Sequence, residues 1–105
     1  MVFLETSAFT RRITTLLTDD AYAEVQANLI EQPDLGDVIP EGGGIRKLRV
    51  AAKGHGKSGG ARVIYYWAVA RDRILFLRAY AKNEQSDLTR KELKDLRRVV
   101  EEEFG

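Results

Sequence analysis

Apolar and polar residues alternate along this chain with two different periods, and the switch between them divides it into helical and extended parts. Val2-Phe3-Leu4-Glu5 is a short apolar run followed by Thr6 and Ser7, either of which can cap a helix, so the pattern predicts an opening strand and then a helix to about Leu17. Phe9, Ile13, Leu16 and Leu17 recur at helical spacing and form one stripe for burial, leaving Arg11, Arg12 and Thr15 outside. Thr18-Asp19-Asp20 supplies a cap and negative charge for a second helix, whose apolar face Tyr22, Val25, Leu29 and Ile30 runs until Pro33. So short a connection makes the two helices an antiparallel hairpin. Pro33-Asp34-Leu35-Gly36-Asp37 and Pro40-Glu41-Gly42-Gly43-Gly44 punctuate a crossing to the sheet.

The period then becomes two. Ile45 to Lys53, Ala61 to Trp67 and Ile74 to Lys82 read as three further strands, with a glycine-rich loop between the first two and a turn at Arg71-Asp72-Arg73 before the third. Leu48, Val50 and Ala52, then Val63, Tyr65, Trp67 and Val69, then Leu75, Leu77, Ala79 and Ala81 are expected to share one buried face. The opposite face would gather Lys47, Arg49, Lys53, Arg62, Ile64, Tyr66, Phe76, Arg78, Tyr80 and Lys82. Matching the faces needs an odd-numbered turn, and a three-residue one would set Arg62 opposite Lys82 and Ile64 opposite Tyr80. Thr89 with Glu92 forms a capping box, and Leu88 can staple onto Leu93 at the start of a last helix carrying Leu93, Leu96, Val100 and Phe104 on one side. The element order predicts an α+β fold: an antiparallel sheet of about four strands, an N-terminal helical hairpin and a C-terminal helix.

Composition sharpens this picture in one place. The formal charge is only +1 over 105 residues, yet Gly42 to Arg71 contains no acid and seven of the chain's lysines and arginines. A hairpin so charged attracts polyanions. The length suits one domain spanning residues 1–105, with 44% hydrophobic residues for a modest core. There is no cysteine and a single histidine, His55, which excludes a disulfide framework and makes a protein-only metal site or a resident cofactor unexpected. No apolar run has the length of a membrane span, so a soluble, cytoplasmic protein without a membrane partner is expected.

Ala51-Ala52-Lys53-Gly54-His55-Gly56-Lys57-Ser58 superficially matches the phosphate-binding loop of nucleotide hydrolases. It fails twice, because Ala51 stands in place of the first glycine and a β-branched, aromatic strand follows instead of a helix. The glycines equally describe a hairpin tip with Lys57 in solvent. His55 titrates near neutrality and is a candidate acid or base, while a lone loop histidine is also simply an exposed one. Tyr66 and Tyr80 lie among cations, where an aromatic ring can stack on a base.

Taken together, Gln32-Pro33-Asp34-Leu35-Gly36-Asp37, Gly43-Gly44-Ile45-Arg46-Lys47-Leu48-Arg49, Gly56-Lys57-Ser58-Gly59-Gly60-Ala61-Arg62-Val63-Ile64-Tyr65-Tyr66 and Tyr80-Ala81-Lys82-Asn83-Glu84 resemble the HigB branch of the RelE toxin superfamily. The resemblance covers nearly the whole chain. It implies the RelE-like fold and a type II toxin that enters the ribosomal A site and cuts mRNA there by metal-independent 2′-OH attack on the adjacent phosphate. Its partners would be the ribosome, mRNA and a cognate antitoxin. The family's catalytic groups map onto Lys53, Lys57, Arg62, Tyr80 and Lys82, with Lys47, Arg49, Tyr66 and Arg78 as RNA contacts and Arg62 as an exposed holder of the scissile phosphate. Family members differ in which residue is general acid or base, and the ending Glu103-Phe104-Gly105 offers none, so the resemblance assigns no role to His55. A non-catalytic RNA- or ribosome-binding module on the same basic face, or a domain that binds an acidic protein, is the alternative.

Overall fold

Thr6 ends the first strand and begins the first helix with one side chain: its hydroxyl accepts from the Phe9 N–H at 3.1 Å and donates to the Leu77 carbonyl at 2.7 Å. Local capping and tertiary docking are thus settled together. The structure is a computed structural model and describes residues 1–52 and 60–105. Its elements are β1 (Val2–Glu5), α1 (Ser7–Leu16), α2 (Asp19–Glu31), β2 (Asp37–Val38), β3 (Ile45–Val50), β4 (Ala61–Ala68), β5 (Arg73–Ala81) and α3 (Arg90–Phe104), with a short 3₁₀ turn at Val69–Arg71. Thr18 caps α2 through the Ala21 N–H, and Thr89 with Glu92 closes the expected capping box on α3. No helix among the described residues is long and apolar enough to cross a membrane.

The strands form one sheet in the order β1-β5-β4-β3-β2. Two features correct the expected all-antiparallel, four-stranded sheet. β1 runs parallel to β5, pairing Phe3 with Ile74 and Leu4 with Leu75, because α1 and α2 carry the chain away before β3 to β5 are laid down. The crossing after α2 contributes the fifth strand, β2, which pairs Asp37 with Lys47 and Val38 with Arg46. That crossing is pinned by Tyr65, whose hydroxyl accepts from the Gly36 N–H at 2.9 Å and donates to the Pro33 carbonyl at 2.8 Å. Gly36 lies so close that a Cβ there would come within 2.8 Å of the Tyr65 ring.

Two cores sandwich the sheet. Phe9, Ile13, Leu16 and Leu17 of the α1 side and Val25 and Leu29 of α2 pack on Val63, Tyr65, Ile74 and Phe76. Phe76 is the centre of this core, stacked on Phe9 at 4.8 Å and on Phe3 at 5.6 Å. Each such side chain taken from water stabilises the fold by about 1.5–3 kcal/mol. On the other face, Leu96 of α3, with Leu93, Val100 and Phe104 beside it, covers Ile45, Ile64, Leu75 and Leu77. Ile30 and Val69, read as stripe positions, are exposed.

The second core overturns part of the expected face assignment. Leu75 and Leu77 lie on the α3 side, and Phe76 belongs to the α1 and α2 core. A β-bulge is the cause. Ile64 pairs with Arg78 but the next residue, Tyr65, pairs with Phe76, so Leu77 is the extra residue and the side-chain alternation of β5 reverses around it. The turn is also longer than expected, since Ala68 pairs with Arg73 around Val69 to Asp72, with Asp72 at a left-handed φ of 51°. Four turn residues plus one bulged residue restore the parity that a three-residue turn would have supplied, but displaced by two residues. Arg62 therefore pairs with Tyr80, and Ile64 with Arg78.

Candidate functional site

Register brings Arg49, Arg62 and Tyr80 into one row across β3, β4 and β5. Strands so paired lie about 4.8 Å apart, so these side chains crowd on the face that α3 only partly covers. Arg62 is not the exposed residue expected for a strand-face cation. It is 5% exposed, with Nη1 donating to the Ala61 carbonyl at 3.3 Å. Taking a guanidinium out of water costs desolvation, which polar partners offset. Arg49 beside it is exposed.

Tyr80 is 4% exposed, and its hydroxyl is buried without a hydrogen-bond partner among the described residues. Burial raises its pKa above the ordinary tyrosine value; the charges of Asp87 and Glu92 add to the rise, and Arg62 opposes it. The group is therefore a phenol, with a proton to donate, throughout the neutral range.

The next row is Lys47, Ile64 and Arg78, and here acids from outside the sheet already meet the cations. Lys47 Nζ lies 3.4 Å from Asp87 Oδ1, and Arg78 Nη1 lies 3.1 Å from Glu92 Oε2. Glu92 Oε1 accepts from the Thr89 N–H at 2.8 Å and from Gln85 Nε2 at 3.2 Å, so one carboxylate joins the α3 cap, the preceding loop and β5. These contacts, the Thr89 backbone bond first, hold its pKa below the ordinary carboxylate value. Reading the sequence found Glu92 only as a capping residue and passed over Asp87; the acid-free hairpin was the available signal, since its cations need counter-charges from elsewhere.

Lys82 follows Tyr80 by two residues, is exposed, and donates its N–H to the Gly60 carbonyl at 3.0 Å, so Gly60 and not Arg62 is its neighbour. The turn beyond it is tied to α1 by an ion pair between Arg12 and Glu84, and Glu84 Oε1 also accepts from the Ala81 N–H at 3.2 Å. Tyr66 stands apart, two rows from Arg62, with its ring 5.7 Å from Phe104 of α3. Lys53, His55 and Lys57 lie outside the described residues. Among the described residues, no three His, Asp or Glu side chains converge as a metal site would require.

Fold and site together define a small α+β protein with a strand-borne row of two arginines and a protonated tyrosine. The family model described as "RelE toxin of RelE / RelB toxin-antitoxin system" matches residues 5–104, and the chain belongs to that family. It is accordingly a toxin of the toxin-antitoxin kind, with an antitoxin as its partner.

Proposed function

We propose that the chain is a ribosome-dependent mRNA endoribonuclease of the HigB branch, acting in the cytoplasm and cutting message in the ribosomal A site. The observation that carries this reading is the row of Arg49, Arg62 and Tyr80. In the proposed reaction a ribose 2′-OH loses its proton and attacks the adjacent phosphorus, and the bond to the leaving 5′-oxygen breaks. Arg62 holds the phosphate through parallel hydrogen bonds and stabilises the negative charge that develops on it. Tyr80, kept protonated by burial, donates its proton to the 5′-oxygen. Lys82, Lys53 and Lys57 add positive charge, as the family resemblance implies, and His55 is a candidate acid or base. Arg49 contacts RNA, whereas Lys47 and Arg78 do so only by exchanging Asp87 and Glu92 for phosphate.

The test is to induce the chain in bacteria and map 5′ ends on translated and untranslated copies of one message. In-frame cuts confined to the translated copy are expected. Growth arrest with intact message would instead select a non-catalytic ribosome-binding module. Chelation under conditions that preserve ribosomes is expected to leave cleavage unchanged, since the proposed step uses only the chain's own side chains.

A further inference from the structure

Beside α3, away from the row of Arg62, lies a groove of about 460 Å³ floored by Tyr66 and Phe104 and flanked by Lys94, Arg97 and Arg98, with Glu101 as its one acidic side chain. That volume falls in the range of about 300–1,000 Å³ usual for small-ligand pockets. Gly43 lines its far side and Gly44 follows, both at positive φ (64° and 100°). A Cβ on Gly43 would come within 3.2 Å of Arg97 Nε, and one on Gly44 within 3.1 Å of the Tyr66 ring, so bare backbone is what lets the guanidinium and the ring sit where they do. Arg97 is oriented by its Nη1 bond to the Glu41 carbonyl at 3.2 Å. Neither Lys94, Arg97 nor Arg98 takes part in the site described above.

We propose that this groove binds a second nucleotide of a single-stranded RNA, its base against Tyr66 and its phosphate between Arg97 and Arg98. The inference rests on the proposed action on RNA and extends it to a surface two rows from the reacting phosphate. A nucleotide carries a planar ring and an anion in one unit, which suits a ring floor with three cations and one acid around it. An acidic protein segment would have to supply an aromatic and a carboxylate from separate side chains. The groove anchors the strand and contributes affinity, while the row at Arg62 carries the chemistry.

The experiment is a fluorescence anisotropy titration of the full chain with labelled 2′-O-methyl hexauridylate, which cannot be cut by 2′-OH attack, at several salt concentrations. Replacing Tyr66 by Leu removes the stacking platform and is expected to weaken binding by about 5- to 150-fold. R97Q combined with R98Q is expected to weaken binding and to flatten the salt dependence by about 0.7 in slope for each phosphate that is no longer neutralised, a change that a merely structural role would not produce. K94Q, on the exposed side of the helix, repeats the slope measurement with the other residues intact. Wild-type affinity and slope in the arginine and lysine variants would overturn the proposal, as would binding of polyglutamate, but not RNA, that these variants abolish. Cut message in cells with no contribution from the groove sinks this inference alone. Groove-dependent RNA binding with uncut message sinks the nuclease reading alone.

Discussion

The two faces of the sheet are built on the same three strands and are put to different use. Under α1 and α2 the face is closed: Phe9, Leu29, Val63, Tyr65 and Phe76 are fully buried, and the Tyr65 hydroxyl has both a donor and an acceptor. Under α3 the core of Ile45, Ile64, Leu75 and Leu77 also takes in Tyr80, and the row that starts there continues through Arg62 to the exposed Arg49. Each face also holds a buried polar atom without a partner among the described residues, Trp67 Nε1 beside the first core and the Tyr80 hydroxyl in the second, but only the second lies in a row with arginines. A buried polar group without a partner costs stability wherever it lies. The bulge at Leu77 decides the face of Tyr80, since unbroken alternation from Phe76 would turn Tyr80 toward α1 and α2, whereas the extra residue turns it to the face of Arg62.

The sharpest way to break this comparison is Phe76→Ala. It should destabilise the protein by about 3–5 kcal/mol, read from urea denaturation, with cleavage per folded molecule preserved. A loss below about 1 kcal/mol would remove Phe76 from the centre of the core.

Arg62→Ala should show the opposite division. Cleavage of ribosome-bound message is expected to fall about a hundredfold to a thousandfold. Because Arg62 is buried, a stability loss of about 1–3 kcal/mol should accompany it, so rates must be compared per folded molecule. Arg62→Lys should recover part of the rate, since a lysine keeps the charge but not the paired donors. A folded Arg62→Ala protein cutting at wild-type rate would detach the row from the mechanism.

Tyr65→Phe tests the closed face at the hydroxyl that ties it to the crossing before β3. Removing the hydroxyl leaves the Gly36 N–H and the Pro33 carbonyl without that partner, and a cost of about 1–3 kcal/mol is expected, with faster hydrogen exchange at the Gly36 amide. An unchanged midpoint and unchanged exchange would mean that Tyr65 does not pin the crossing before β3.

Glu92 sharpens the comparison through pH. Its pKa is lower folded than unfolded, so the folded state binds fewer protons in the window between the two values. Its contribution to stability is full above the unfolded value, near 4.5, and is lost as pH falls through the folded one. Glu92→Gln should flatten the acid side of the stability profile; an unaltered profile would separate Glu92 from α3 docking. The smallest effect belongs to Asp87→Asn. Its pair with Lys47 is largely exposed and contributes no more than about 1 kcal/mol, so stability should hardly move. RNA affinity should rise a few-fold as Lys47 is released, and weaker RNA binding would count against the idea that Asp87 stands where phosphate goes.

Local pattern determined much of this molecule. Thr6, Thr18 and Thr89 cap three helices as their hydroxyls allow, the stripes of α1 and α3 pack as their spacing requires, and the acid-free stretch from Gly42 to Arg71 identifies the cationic hairpin. These features depend on residues within one or two turns of each other, so a sequence displays them directly. Tertiary structure alone decided that β1 lies parallel beside β5, that Arg62 faces Tyr80 and not Lys82, and that α3 packs on Ile45, Ile64, Leu75 and Leu77 of the cationic face. Register depends on turn length and on the bulged residue, and a one-residue slip exchanges the faces. Alternation could place Arg62 and Tyr80 among the cations of one face, but only the packed sheet could bury them side by side.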